Sequence, residues 1–526
     1  MQLRFVARQL SMLLGGLVLA MTPCMALAII EPGAQVGARW AAAWAFGVAM
    51  VAGAALAWAL RSWSRRTPPA ASDEPAAPEV TIDAMGRREA LLLVALTWLV
   101  GAALSATPFW LWSELGGAPD AHPFHDPASC YFEAVSGLTT TGATVLTGIQ
   151  DNPKALLLWR GLLHWLGGLG IVVLFVAVLP TLGMGGKRLF QAETAGAGSQ
   201  GVRPRVADTA RSLWLIYGCF TAVLFALLWL LGMKPFDALV HTMSCVATGG
   251  FANHDASMGL YPSAAIQWVL ILFMVLCGVN FGLYHRLVRK RGWGEVLTDP
   301  ELRLYLTLLA VSSLVVWLSL LGGSIKSTTG GEVDANGFET LRAGVFAVSS
   351  AMTTTGFATA DYEPWPPVAQ VVLFMMLFVG GMAGSTAGGL KVVRLLVAAK
   401  VLWAEVERAF RPRVVRAVRL GAGAIDEDRQ RSVVAFFLLA CVIYAAGVGA
   451  LVLLESGRGI DGVTAASAPA ACLFNVGPAF GAVGPTDSYA HFTGGSKVLL
   501  SLLMVLGRLE LFALLSLLHP RFWRQD

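Results

Sequence analysis

The sequence predicts an all-α polytopic membrane protein in which four like units surround one pore, with a two-helix hairpin ahead of them. Three observations carry this reading. The chain is 56% hydrophobic and 13% charged, with a mean hydropathy of +0.65, where a soluble domain carries about a quarter charged residues. Apolar stretches long enough to cross about 30 Å of hydrocarbon recur along its length. Four short strings also end on a glycine at near-constant spacing. They read Leu138-Thr-Thr-Thr-Gly-Ala-Thr144, Cys245-Val-Ala-Thr-Gly-Gly-Phe251, Met352-Thr-Thr-Thr-Gly-Phe-Ala358 and Phe474-Asn-Val-Gly-Pro-Ala479. Their glycines Gly142, Gly249, Gly356 and Gly477 lie 107, 107 and 121 residues apart, the period of a repeated supersecondary unit.

In chain order, Leu10–Ile30 is the first apolar segment, after Arg4 and Arg8. Ala26-Leu-Ala28 resembles a signal-peptide cleavage site, but Trp40–Leu60 follows closely enough to pair with the first segment. Residues 1–60 are therefore read as a transmembrane hairpin. Residues 61–88, with Pro68, Pro69, Pro75 and Pro78, read as a poorly ordered cytoplasmic linker.

Each of the four units then places a spanning helix, a short half-crossing helix with its glycine strand, and a second spanning helix. Repeat 1 (residues 89–208) has Glu89–Trp112, Pro127–Thr141 and Pro153–Leu182. Repeat 2 (209–300) has Thr209–Leu231, Pro235–Thr248 and Ser263–Leu287. Repeat 3 (301–430) has Leu302–Leu321, Phe338–Thr355 and Val368–Lys400. Repeat 4 (431–526) has Ser432–Leu454, Asp461–Val476 and Lys497–Leu518. With the hairpin this makes ten crossings. The seven cysteines are scattered, mostly in apolar runs, which argues for inert packing and against a disulfide framework.

Charge fixes the orientation. Lys and Arg number five in 61–88, five in 183–212, five in 286–303 and ten in 391–431. The opposite loops carry Asp120, Asp126, Asp151, Asp255, Asp361, Glu363 and Asp487. The positive-inside rule puts both termini in the cytoplasm and opens the glycine strands outward. An acidic outer vestibule raises the local cation concentration.

Threonine and glycine tracts build no hydrophobic core, but their carbonyl oxygens can replace the hydration shell of a cation. Non-helical backbone at membrane depth is tolerated only inside protein or along a watery cavity. Four such strands around one axis give four-sided carbonyl rings, with short helices aiming negative ends at the pore. These features describe a cation filter; ordinary glycine turns do not account for four matched positions.

Two further features lie beyond the strands. Gly380-Gly-Met-Ala-Gly-Ser-Thr-Ala-Gly-Gly389 sits inside the second spanning segment of repeat 3 only. Each glycine costs a helix about 1 kcal/mol against alanine, so the run reads as a break whose loop lies in the conduction path. A close helix contact through small residues is the competing reading. Gly384–Lys391 superficially resembles a phosphate-binding loop but has its lysine displaced and no Ser or Thr after it. Arg508, within the last spanning segment, is a costly intramembrane charge and hence a functional candidate, or else half of a buried ion pair with another helix. Its neighbour Glu510 points about 200° away on a continuous helix. Arg160, His164 and His241 read as bundle-facing groups with satisfied hydrogen bonds.

The strings Phe132-Glu-Ala-Val-Ser-Gly-Leu-Thr-Thr-Thr-Gly-Ala-Thr144, Ala247-Thr-Gly-Gly-Phe251, Thr353-Thr-Thr-Gly-Phe-Ala-Thr-Ala-Asp-Tyr362 and Phe378-Val-Gly-Gly-Met-Ala-Gly-Ser-Thr-Ala-Gly-Gly-Leu-Lys391 resemble the potassium-translocating subunit of the Trk/Ktr/HKT superfamily, TrkH type. The resemblance runs from about residue 89 to the C-terminus, and the N-terminal hairpin shares it. It implies M1–P–M2 repeats like those of potassium channels, and potassium uptake across the cytoplasmic (inner) membrane. It places the ion-coordinating backbone at Thr140-Thr141-Gly142, Ala247-Thr248-Gly249, Thr354-Thr355-Gly356 and Asn475-Val476-Gly477. Relatives with serine at the first glycine tend toward sodium, so Gly142 favours potassium. The implied gate comprises Gly380, Gly381, Gly384, Ser385, Thr386, Gly388, Gly389 and Lys391, with Arg508 projecting into the pore as an electrostatic barrier. The implied partners are a TrkA-like cytosolic nucleotide-binding regulatory ring, a second copy in a homodimer, and membrane lipid. Potassium is cargo, and neither an organic cofactor nor nucleic acid is expected. A proton- or sodium-coupled secondary transporter is the alternative. An enzyme is not expected, because no His, Glu, Asp or Cys cluster has catalytic or ligand spacing.

Overall fold

A computed structural model describes residues 2–31, 36–65, 86–177, 202–288, 293–333, 337–412, 417–421 and 423–524. Residues 66–85 of the expected linker and 183–201 of the first basic loop lie outside the described residues. The chain is mostly helical. Leu3–Ile30 and Val36–Arg65 pack along one another. Six described helices are long and apolar enough to cross a membrane, or eight if two bent pairs each form one span.

Helix starts follow local chemistry. Asp126, Asp299 and Asp461 each accept two backbone N–H groups at a helix N-terminus, and Pro127 and Pro300 occupy the first helical position. There the missing N–H has no intrahelical role. The polarity of the packing is inverted relative to a water-soluble protein. Trp44, Leu438, Val442 and Leu453 are exposed on the outside, whereas Glu133, Arg160 and His164 are at most 1% exposed inside.

The four short helices are Pro127–Leu138, Pro235–Val246, Gly337–Met352 and Gly462–Leu473. Each ends at one of the four glycine strings. The segments after the strings depart from the expectation that only the third is interrupted. After the first string, Lys154–Ala177 runs unbroken. After the second, Ala264–Cys277 and Phe281–Leu287 meet at a 90° bend. After the third, Pro367–Phe378 and Val392–Phe410 are separated by the glycine-rich loop. After the fourth, Gly494–Arg508 and Phe512–Leu518 meet at 116°.

Three of four are therefore broken, each for a local reason. Asn280 accepts the Gly282 N–H through Oδ1 at 2.8 Å, opening a new helix start. Glu510 and Leu511 take left-handed φ values of +56° and +60°, and the Leu511 N–H closes the preceding helix on Leu506 O at 2.9 Å.

Candidate functional site

The backbone after each short helix follows one hydrogen-bonding pattern. Thr141, Gly249, Thr355 and Val476 donate their N–H to Ser136, Ser244, Ser350 and Ala471 at 2.8–2.9 Å. The residue before each is left-handed without being glycine: Thr140 +53°, Thr248 +53°, Thr354 +55° and Asn475 +56°. The residue after each is a left-handed glycine: Gly142 +80°, Gly250 +85°, Gly356 +80° and Gly477 +94°. Four consecutive strained sites of one kind are held only where the surroundings over-determine them.

This corrects the second string. The glycine equivalent to Gly142 is Gly250, not Gly249, and the equivalent triplet is Thr248-Gly249-Gly250. Ala247 belongs to the short helix as its C-cap, with φ −77°, matching Thr139 with φ −79°. A signal was present in the sequence: Ser136, Ser244 and Ser350 each lie six residues before Gly142, Gly250 and Gly356.

The strands close into a ring. A Cβ added to Gly142 would fall 2.1 Å from Gly249 O, one on Gly250 1.9 Å from Thr355 O, one on Gly356 2.3 Å from Val476 O, and one on Gly477 2.5 Å from Thr141 O. Each glycine therefore faces the carbonyl of the next strand, in the order first, second, third, fourth and back to first. Only a residue without Cβ permits that approach at these dihedrals.

The loops that follow the strands fasten the same ring. Asp255 accepts from Gly148 N at 2.9 Å and Ile149 N at 3.0 Å. Met258 N donates to Ala358 O at 2.9 Å. Gly481 N donates to Glu363 at 2.8 Å, and Tyr489 N to Thr144 O at 2.8 Å. Behind the first two strands, Arg160 Nε donates to Glu133 at 2.7 Å and its Nη1 to Ala252 O at 2.9 Å. The Glu133 carboxylate also takes the Thr144 hydroxyl and the Val145 N–H. His164 Nδ1 meets the Ser244 hydroxyl at 3.0 Å, and His241 Nε2 accepts from Asn253 N at 3.3 Å. Their other ring nitrogens have no partner among the described residues, so the expectation of full satisfaction holds for Arg160 but not for the histidines.

Among the described residues, eleven of the twelve carbonyls in Thr140–Gly142, Thr248–Gly250, Thr354–Gly356 and Asn475–Gly477 accept no hydrogen bond; the exception is Gly477. Buried backbone carbonyls are nearly always paired with protein or water. A ring of unpaired ones is a binding surface for something positive, and the C-terminal ends of four short helices add negative potential there.

The glycine-rich loop lies at the end of the ring where the strands leave the helices. It is closed at its base by Gly380 N to Leu390 O at 2.9 Å and Leu390 N to Phe378 O at 3.1 Å. Gly388 N donates to the Thr354 hydroxyl at 2.7 Å. The Thr386 hydroxyl lies 3.3 Å from that of Thr248. Gly381 O accepts from Val392 N at 3.2 Å and Gly384 O from Phe281 N at 3.1 Å. The Ser385 hydroxyl bonds Met382 O at 2.7 Å, Gly389 is left-handed, and Lys391 Nζ donates to Ala387 O. Glu301, which the sequence reading passed over, anchors the loop by accepting from Ala383 N at 2.7 Å and Val393 N at 3.2 Å.

Arg508 is 2% exposed. Its guanidinium donates to Thr386 O at 2.9 Å and Gly167 O at 3.2 Å, tying the loop to the helix that follows the first strand. Among the described residues no carboxylate lies within ion-pair distance of Arg508, and its Nε has no partner. Glu510, freed from the helix by the break, pairs with Arg394, whose guanidinium also sits 4.0 Å from the Phe436 ring centroid.

Comparison with known proteins identifies the family. The TrkH family model, described as a cation transport protein, matches residues 111–521. The chain is 38% identical over 443 residues to the Trk system potassium uptake protein TrkH of Salmonella typhimurium, covering 83% of this chain and 86% of that protein. It is 34% identical over 446 residues to the TrkG protein of Escherichia coli, with the same coverages. The crystal structure of the potassium transporter TrkH from Vibrio parahaemolyticus superposes with a TM-score of 0.82 at 31% identity, covering all of both chains. The motifs, the ring of strands and these matches lead to one conclusion: the chain belongs to the TrkH family of cation transport proteins.

Proposed function

We propose that this protein takes up potassium across the inner membrane through a channel-like pore. The carbonyls of Thr140–Gly142, Thr248–Gly250, Thr354–Gly356 and Asn475–Gly477 stand in for the water that a potassium ion sheds on entry. The single observation that carries this reading is the closed ring of strand carbonyls, eleven of which accept no hydrogen bond among the described residues. Neutral carbonyl dipoles suit a weakly hydrated monovalent ion, and no carboxylate ring of the kind that serves divalent cations stands among the strand residues.

The loop 380–389 is the gate. It touches the second, third and fourth strands, and Arg508 closes the side of the first. With Arg508 in place a cation leaving the inner end of the filter meets a fixed positive charge, and displacing Thr386 and Arg508 together clears the path. Lys391 and Glu301 set the height of the loop from below. Both termini face the cytoplasm, as the basic loops require. The basic inner surface suits an acidic or nucleotide-binding regulatory ring, and a second copy completes a homodimer. The function is tested by expressing the chain in cells that lack potassium uptake. Growth restored at low external potassium, and lost in Gly356→Ala at equal membrane abundance, is the expected result. Restoration by sodium gradients alone, with Gly356→Ala unimpaired, overturns it.

A further inference from the structure

Among the described residues, the one filter carbonyl with a partner is Gly477 O, which accepts the Tyr489 phenol at 2.7 Å. Tyr489 is 2% exposed, wedged against Phe132 and Phe492 with ring centroids 5.3 and 5.8 Å away. Its own N–H donates to Thr144 O at 2.8 Å. One residue therefore ties the fourth strand to the first at the level of the filter glycines, on the seam where Gly477 faces Thr141 O.

The fourth strand, like the second, lacks the side-chain bracing of the first and third. In the first and third strands the hydroxyl pairs Thr139–Thr141 and Thr353–Thr355, each at 2.7 Å, stiffen the backbone from their own side chains. Val476-Gly477 has no such pair. Asn475 fastens only the inner end, through Thr141 Oγ1 at 3.0 Å and Met504 O at 2.9 Å.

Resting on the reading of these strands as a cation filter, we propose that Tyr489 is a positioning residue that sets the ion preference of the glycine-level ring. Its phenol holds one of four carbonyls in a fixed direction and withdraws part of that oxygen's negative charge. The ring presents three free carbonyls and one attenuated one, a weaker field than four free ones. A weaker field disfavours sodium, whose tight hydration shell needs a stronger replacement. Freed from the phenol, Gly477 O turns toward the axis or fluctuates, and either change makes sodium easier to accept.

The test is Tyr489→Phe, which deletes one oxygen and keeps the ring packing, measured by potassium and sodium uptake in cells lacking other potassium uptake. Loss of one hydrogen bond of ordinary strength is expected to lower the potassium-over-sodium preference about three- to ten-fold. Maximal potassium rate per protein in the membrane stays unchanged, and the shift falls on KM. 3-Fluorotyrosine introduced at position 489, a stronger donor of nearly the same size, shifts the preference the other way. It decides the matter alone if Tyr489→Phe does not reach the membrane: an unaltered preference with the fluorinated residue overturns the proposal. Gly142→Ser is carried as the control. If it loses discrimination while Tyr489→Phe keeps it, the role of Tyr489 falls and the filter stands. If neither changes, both fall.

Discussion

Gly249 and Gly250 are adjacent, yet the structure gives them opposite responses to a methyl group. Gly250 has φ +85°, and a Cβ there would sit 1.9 Å from Thr355 O and 3.0 Å from its carbonyl carbon. The left-handed backbone alone costs an L-residue about 1–2 kcal/mol. The obstacle is the neighbouring strand's backbone, so relief requires turning a filter carbonyl. Gly249 is outside the left-handed set, and a Cβ there first meets the His164 ring at 2.3–2.6 Å. That obstacle is a side chain and can be removed. In a double-mutant cycle scored by potassium uptake and sodium competition at matched membrane abundance, Gly250→Ala loses selective uptake in every background. Gly249→Ala is damaging alone, but in a His164→Ala background its further effect is within about 0.5 kcal/mol, roughly two-fold. The reasoning is refuted if Gly250→Ala behaves as the parent, or if Gly249→Ala is equally damaging with and without His164.

Arg508→Ala increases potassium flux at matched abundance: at an effective dielectric near 20, a unit charge about 6 Å from a passing ion repels it by roughly 3 kcal/mol before screening. Reduced flux in an assembled protein contradicts a barrier. Deleting part of Gly380–Gly389 raises flux and loosens its dependence on a cytosolic regulator, read as tracer uptake with and without cytosolic extract; normal, still-regulated flux means the loop only packs. In the loop after the third strand, burial pushes the Glu363 carboxyl above its ordinary value, against the Gly481 N–H that favours the ionised form; Asp361, Asp487 and Asp461 push it further up. Because the folded-state pKa is the higher one, the ionised form carries a stability cost at neutral pH that disappears as pH falls through it. Acidification therefore neutralises Glu363 before an ordinary carboxylate, so the KM for potassium rises on mild acidification and Glu363→Gln flattens that limb; an unchanged pH profile in the variant removes Glu363 from ion capture.

The membrane class, the four short helices and three of the four strand registers were legible because each rests on a local chemical signal: apolar length, a short run of apolar and small residues ahead of each glycine, a Thr-Thr-Gly or Asn-Val-Gly string. The second register was misread because Thr248-Gly249-Gly250 offers two glycines, and spacing from neighbouring units cannot choose between them. The backbone bond from Gly249 N to Ser244 O chooses. The break after Arg508 left no mark, since Leu509-Glu510-Leu511 contains neither glycine nor proline. Two left-handed non-glycine residues are stabilised there by the Arg394–Glu510 pair and by Arg508 reaching Thr386 O, contacts 116 and 122 residues away in sequence. The same break removes the continuous helix assumed for Glu510, although Glu510 still pairs with Arg394 and not with Arg508. Glu301 and Tyr489 were invisible for a related reason: Glu301 accepts from Ala383 N and Val393 N and Tyr489 N donates to Thr144 O, contacts between segments far apart in sequence about which single-sequence patterns carry no information. The Asn280 cap on Gly282 N, by contrast, is local and was passed over.

The most direct test of the central claim is ion flux through the purified protein in sealed liposomes. Potassium loaded on one side, with no imposed proton or sodium gradient, should move down its own gradient, exceed sodium flux under the mirror condition, and lose that preference in Gly356→Ala. Potassium movement that stops without a proton or sodium gradient, or that matches sodium movement in the unaltered protein, contradicts a carbonyl-ring pore.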